Sequence, residues 1–259
     1  MQDRYAGDAG DYGKFGLLRA LVSAAAAQDF DFRLGILWYR YPDEWHTADG
    51  KHISYLNDSP RNDTLYRACD PELYAGMRRL VAGRRELASI PGMGILPASV
   101  VYGDEPLDFG GRTLPWQDRA EWRRAWAARA LAAVESCNLV LMDPDNGLAG
   151  PRVSRSSRRA GKYVFLDEIE PMIARRQSVI LYQHLDRSGP AHQQITRRAH
   201  MLQDFLGLRE MPRSLRHSSG SGRVYYIMAN QESQAVVDQA FAHLTAPPWS
   251  RHFCLVETS

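Results

Sequence analysis

Lysine is nearly missing from this chain. It occurs only at Lys14, Lys51 and Lys162, so 29 of the 32 basic residues are arginine, the side chain whose planar fork binds phosphate bidentately and stacks on bases. Cysteine is as scarce: Cys69, Cys137 and Cys254 are odd in number, far apart and without CxxC spacing. That excludes a disulfide framework and a zinc knuckle, and buried free thiols are expected. No apolar run nears the roughly 18 residues needed to span a bilayer. The opening MQDRYAGDAGDYGK is polar and has no signal-peptide core, so the expected location is cytoplasmic and no membrane partner is expected. Internal repeats and low-complexity linkers are also lacking.

What remains is ordinary for a globular protein: 259 residues, 44% hydrophobic, 24% charged, with a formal net charge of +2. One domain over 1–259 is the expectation. The net charge says nothing about a nucleic-acid partner, but the arginines are unevenly spread. Arg152, Arg155, Arg158 and Arg159 fall close together, and Arg209, Arg213, Arg216 and Arg223 lie in or beside a Ser- and Gly-rich stretch. Flexible arginine-bearing loops suit a polyanion, although a solvated surface has the same composition.

Along the chain, apolar spacing predicts a helix over 12–27, preceded by a glycine-rich loop, and then a strand in FRLGILWYRY. A long polar connection follows, WHTADGKHISYLND, and a helical insertion over about 57–95 that includes a helix at 71–89. A short strand is expected at 97–102 and an amphipathic helix at 116–135. CNLVLMD and QSVILYQHL read as buried strands of a parallel sheet. GKYVFLDEIEPMIAR and GPAHQQITRRAHMLQDFLGL read as helices, GRVYYIMAN as a strand, 231–244 as a helix and HFCLVE as a last strand. The alternation predicts an α/β class: a doubly wound, mainly parallel, Rossmann-like sheet flanked by helices.

Ligands in such sheets gather beyond the carboxyl ends of strands. Two polar clusters fall there. LVLM runs into Asp143-Pro144-Asp145-Asn146-Gly147, and SVIL into Tyr182-Gln183-His184-Leu185-Asp186-Arg187. Turn chemistry alone accounts for Pro144, Asn146 and Gly147. It does not account for two acids and a histidine arriving at one sheet edge, so Asp143, Asp145, Asn146 and His184 are the candidate catalytic residues. The N-terminal cluster Tyr5, Asp8, Asp11, Tyr12 and Lys14, made pliable by glycines at 7, 10, 13 and 16, is a candidate substrate pocket or a solvated surface. The long connection adds Asp49, Lys51, His52 and Tyr55. Trp38, Tyr39, Tyr41 and Trp45 are aromatics that could sandwich a base or fill the core. Asp143, Asp145 and Glu168 are the carboxylates that could hold a metal, but a carboxylate count alone does not argue for one.

Two family resemblances follow. The order of features, beginning with RYAGDAGDYGKFGLL and its Lys14 and passing through a strand, a helical insertion and DPDN, resembles the J-type ribosomal-RNA adenine-N6 methyltransferases over most of the chain. That likeness implies S-adenosylmethionine and a flipped adenine. The sequence departs from it in two places: LGILWYRYPDEWH puts bulky aromatics where that family needs glycines, and Asp145 and Asn146 replace the Pro-Tyr of its DPPY motif. The second resemblance is shorter. DPDNG and HLDRSG look like the two strand-end motifs of uracil-DNA glycosylases, which implies that Asp143 orients water or stabilises the sugar cation while His184 offsets charge on the departing base.

Three readings stand. The favoured one is a glycosylase that hydrolyses the N-glycosidic bond of a flipped-out, modified base in nucleic acid, DNA ahead of RNA, with no cofactor or metal; defence against phage with altered DNA is one setting for it. The others are an adenine methyltransferase and a non-catalytic nucleic-acid-binding protein. On the favoured reading Tyr5, Asp8, Asp11, Tyr12, Lys14, His52, Tyr55, Gly147, Tyr182 and Arg187 contact substrate. Arg152, Arg155, Arg158, Arg159, Arg216 and Arg223 contact the backbone.

Overall fold

The Asp8 carboxylate accepts from the backbone N–H groups of Gly10 and Asp11, pairing two donors that a helix start leaves open. In the computed structural model, which describes residues 1–44, 50–109, 113–219 and 222–258, this cap opens helix α1 (Ala9–Ala27). The helix therefore begins before residue 12, and Gly10, Gly13 and Gly16 are turns of it rather than a pliable loop. Spaced by three, they form one bare face. A methyl group at position 10 would collide with the Arg223 guanidinium, at 13 with the His217 ring and at 16 with Trp249.

Strand β1 (Leu34–Trp38) follows. The segment after it is helical as expected, with the short α2 (Pro60–Asn62) and α3 (Pro71–Ala82), but the helix expected over 71–89 stops at Ala82, before Gly83, and a separate 3-10 turn spans Leu87–Met93. Next come β2 (Val101–Gly103), α4 (Arg119–Ala133) and β3 (Leu139–Asp143). The two-residue strands β4 (Gly147–Leu148) and β5 (Tyr163–Val164) pair with each other in parallel. That pairing delays α5 to Leu166–Ala174 within the GKYVFLDEIEPMIAR stretch. The chain continues through β6 (Ser178–His184), α6 (Ala191–Leu206), β7 (Arg213–His217), β8 (Arg223–Met228), α7 (Gln234–Thr245) and β9 (Phe253–Val256).

The main sheet has seven strands in the order β2-β1-β3-β6-β8-β7-β9. Its first four strands run parallel and the remaining neighbours pair antiparallel, so the sheet is mixed within an α/β, Rossmann-like fold. Helices α1, α3 and α7 pack on one face and α4, α5 and α6 on the other. Strand order turns around between β1 and β3, with β2 on one side and β6 on the other.

Two expectations need correction. Arg213 and Arg216 lie in β7 and Arg223 opens β8, where it is buried. They belong to paired strands, not to flexible loops. Of the three thiols only Cys137 is buried, while Cys254 is exposed on β9. Among the described residues no helix is long and apolar enough to cross a membrane. Trp45 and Asp49 lie outside the described residues.

Candidate functional site

Side chains alternate across a strand. On β3, Leu139 and Leu141 pack on the α1 side and Val140 and Met142 on the other, so Asp143 falls on the α1 side. Tyr182 of β6 and Tyr225 of β8 share that side, and the same period brings His184 and Arg223 to it. Because β8 runs antiparallel to β6, its first residue, Arg223, pairs with the last residue of β6, His184. The start of α1 lies over this edge. A cavity of about 480 Å³ results, lined by Asp8, Asp11, Lys14, Asp143, Tyr182 and Arg223 among others.

Lys14 organises its floor. Its Nζ lies 2.7 Å from Asp11 Oδ1 and 2.6 Å from Asp143 Oδ2, with all three side chains buried. Burial disfavours the ammonium, but Asp11 and Asp143 together outweigh that and hold its pKa above the ordinary value. Burial pushes the Asp11 carboxyl up to about 6; Lys14 opposes the rise, while Asp8 and Asp143 add to it. The second Asp11 oxygen accepts from Gly7 N–H at 3.0 Å. Asp143 is different: among the described residues its Oδ1 is buried with no hydrogen-bond partner. Arg223 Nε donates to the Tyr182 hydroxyl at 3.3 Å, and its other end reaches Ser219 O at 2.9 Å and approaches Asp8 Oδ2 at 4.0 Å. Burial raises the Tyr182 pKa, with Arg223 and Lys14 opposing, so the hydroxyl keeps its proton at neutral pH.

The DPDNG turn is stitched in place from several directions. Asn146 N–H donates to Lys162 O at 2.9 Å, and Asn146 O accepts from His184 N–H at 3.2 Å and from Gln183 Nε2 at 2.8 Å. Gln183 Oε1 accepts from Leu148 N–H at 2.9 Å. Gly147 has φ of +104°, and a side chain there would collide with Gln183, so only glycine suits the position. Asp145 Oδ2 accepts from Gln2 Nε2 at 2.6 Å, and Oδ1 lies 2.7 Å from the Met1 amino group.

Most of the residues singled out in the sequence meet here. Asp143, Asp145, Asn146 and His184 line the cavity, as do Tyr5, Asp8, Asp11, Lys14, His52 and Tyr182, together with Arg159 and Arg223. Others do not. Tyr12 is fully buried, donates to Tyr66 O at 2.6 Å and stacks on Trp249. Tyr55 is buried and donates to Gly7 O at 3.1 Å. Gly147 serves the turn. Arg187, Arg152 and Arg158 are exposed outside the cavity. Arg155 is tied to Asp167 and, at 3.5 Å, to Glu168, over the ring of Phe165, so its charge is already neutralised. Arg216 sits on β7. Trp38 and Tyr39 belong to the core.

Glu168 is no partner for Asp143 and Asp145. Its two oxygens take Arg123 Nε and Nη2 at 2.9 Å each, and neither residue lines the cavity. Among the described residues no three His, Cys, Asp or Glu side chains are placed to hold a metal ion. Sequence reasoning missed Gln2, Glu44, Lys162 and Tyr163, of which the last three line the cavity, and the clamp residue Gln183. Only Gln183 carried a local signal, its place between Tyr182 and His184 at the end of a strand.

No family model matches the chain, and no curated protein or solved structure matches it either.

Proposed function

We propose that the protein hydrolyses the N-glycosidic bond of a nucleobase-bearing substrate, with Asp143 beneath the sugar. The observation that carries this reading is a fully buried aspartate lining a nucleoside-sized cavity, whose Oδ1 has no hydrogen-bond partner among the described residues. A buried acceptor left without a donor is costly unless a ligand or water supplies one. The floor's charge supports the same chemistry: among the described residues, the buried Asp8, Asp11 and Asp143 are met by two buried side-chain cations, Lys14 and Arg223. A net negative floor stabilises a sugar that becomes cationic as its base departs.

In the proposed reaction the C1′–N bond breaks and its electron pair leaves with the base. His184 or Arg223 offsets that charge. Water, aligned by Asp143, forms the new C1′–O bond and gives up a proton, which passes by way of Asp143 to the departed base. Lys14 holds Asp143 in place. The favoured substrate is nucleic acid, DNA ahead of RNA, with a modified base turned into the cavity.

Methyl transfer fits less well. The backbone after β1 is closed off by buried Trp38 and Tyr39, and the Tyr39 carbonyl accepts from the Met1 amino group at 2.5 Å. Among the described residues directly after β1, 39–44, no glycine lets a bulky cofactor approach the backbone. The deciding experiment incubates the protein with plain and base-modified duplexes and single strands, with and without S-adenosylmethionine. Released base and abasic sites are expected without cofactor. Methyl incorporation, or a large rise in melting temperature with the cofactor alone, would overturn the proposal.

A further inference from the structure

The cavity floor is acidic, but one side of its rim is basic, and a single short segment supplies that side. Residues Arg158–Lys162, RRAGK, form a 3-10 turn. In that geometry residues three apart eclipse one another, so Arg159 and Lys162 stand on one edge, and both line the cavity. The turn is registered to the site by the chain itself. Lys162 O accepts from Asn146 N–H, and Tyr163 pairs with Gly147. Gly161 lets the turn pack closely, since a side chain there would stand 2.6 Å from the Tyr41 ring. Lys162 Nζ sits 5.3 Å from the centre of that ring and is ion-paired with Glu44. Arg159 is exposed and, among the described residues, makes no ion pair.

We infer that this pair is a phosphate clamp: the substrate reaches the cavity as a phosphate ester, with its phosphate on Arg159 and Lys162 at the rim and its sugar and base over Asp143. Arg159 brings the uncompensated charge and a forked donor. Lys162 turns from Glu44 toward the anion. A neutral nucleoside has no use for two cations on a rim above an acidic floor, whereas a molecule with an anionic end and a glycosidic carbon matches both in one orientation. The inference rests on the reading that the cavity takes a nucleobase-bearing molecule. The phosphate has two sources, the terminal monoester of a free nucleotide or an internal diester of a strand.

Calorimetric titration distinguishes these cases, using inorganic phosphate, deoxynucleosides, their 5′-monophosphates, and a single-stranded oligonucleotide with and without a 5′-phosphate. The intact protein is compared with Arg159→Glu, which changes an exposed side chain, and with Lys162→Met. A monophosphate is expected to bind roughly ten-fold or more tighter than its nucleoside, as one or two charge-assisted hydrogen bonds provide. In Arg159→Glu the difference should vanish while nucleoside affinity stays. Preference for the monophosphate over the unphosphorylated strand assigns the terminal source, and the reverse assigns the internal one. Equal affinities of nucleoside and monophosphate, or a difference that survives both substitutions, overturns the clamp and leaves the nucleobase reading intact. Inorganic phosphate bound by the intact protein but not by the variants, with no nucleoside or nucleotide bound, upholds the clamp and overturns the nucleobase reading.

Discussion

Lys14 Nζ lies 2.6 Å from Asp143 Oδ2 across 129 residues of sequence. This one contact fixes the first turns of α1 over the end of β3. It also divides the carboxylate in two: one oxygen is spent on the ammonium, and the other is buried with no hydrogen-bond partner among the described residues. A buried ion pair is weak support for stability, because desolvation offsets most of the attraction. On the proposed reading, its presence on a cavity floor is explained by what the second oxygen does.

Asp143→Asn is expected to slow base release by ~10²–10³-fold while substrate binding is retained, since the lost charge matters most when the sugar is cationic. The amide oxygen can still accept from Lys14, so the fold should survive. Single-turnover base release and thermal melting on the same preparation decide it. Full activity per folded molecule would reduce Asp143 to a turn residue.

Lys14→Met leaves Asp11 and Asp143 buried without their shared counter-ion. Removing one partner of a buried pair costs about 3–5 kcal/mol, and denaturant unfolding should show a loss of that size. The double change Lys14→Met with Asp11→Asn should recover part of it. A loss below about 1 kcal/mol would mean that water reaches the pair and the floor is not sealed.

The Asp143 position was legible because a run of four apolar residues ending in an acid marks the carboxyl end of a covered strand, and the period of two assigns its side. The same logic located Tyr182 and His184. The start of α1 was not legible: Gly10, Gly13 and Gly16 look like loop punctuation, and only the Arg223, His217 and Trp249 side chains pressed against them explain why a helix carries them. β7 was also missed. RSLRH holds one large apolar residue, so its composition reads as an exposed loop, yet it pairs on both sides, with β8 and β9. Gln2 and Lys162 both reach Glu44, from 42 and 118 residues away, a separation at which no sequence spacing carries a signal.

Gln183 is a positioning residue whose side chain ties the DPDNG turn to β6. Gln183→Leu removes one of the two donors to Asn146 O and the acceptor for Leu148 N–H, leaving the buried Leu148 N–H unpaired at about 1–3 kcal/mol. Melting should fall, and base release per folded molecule should fall further, because Asp143 and Asn146 lose their placement. Gln183→Glu keeps the acceptor and should restore part of both. If Gln183→Leu lowers stability alone, with activity per folded molecule unchanged, the clamp is structural only.

Acid should act on this protein through buried groups of opposite sign, among them His217 and Asp11. His217, on β7 against α1, is buried with both ring nitrogens lacking a partner among the described residues. Burial, helped by Arg223 and His252, holds its pKa well below the ordinary 6.5. Below about pH 6.5 the unfolded chain therefore takes up a proton that the folded one refuses, and stability falls by up to ~1.4 kcal/mol per pH unit for that group. Asp11 works the other way. Its folded pKa of about 6 exceeds the ordinary 3.8, so the folded state binds the extra proton between those values. Its contribution is complete at the acid end and is lost as pH rises through 6. His217→Leu should then unfold less readily on acidification from pH 6.5 to 4 than the parent does, whatever its stability at neutral pH. Asp11→Asn should unfold more readily over the same range. Denaturant titrations at half-unit pH steps measure the slopes, and a His217→Leu slope equal to the parent's would show that the imidazole is solvated in the folded protein.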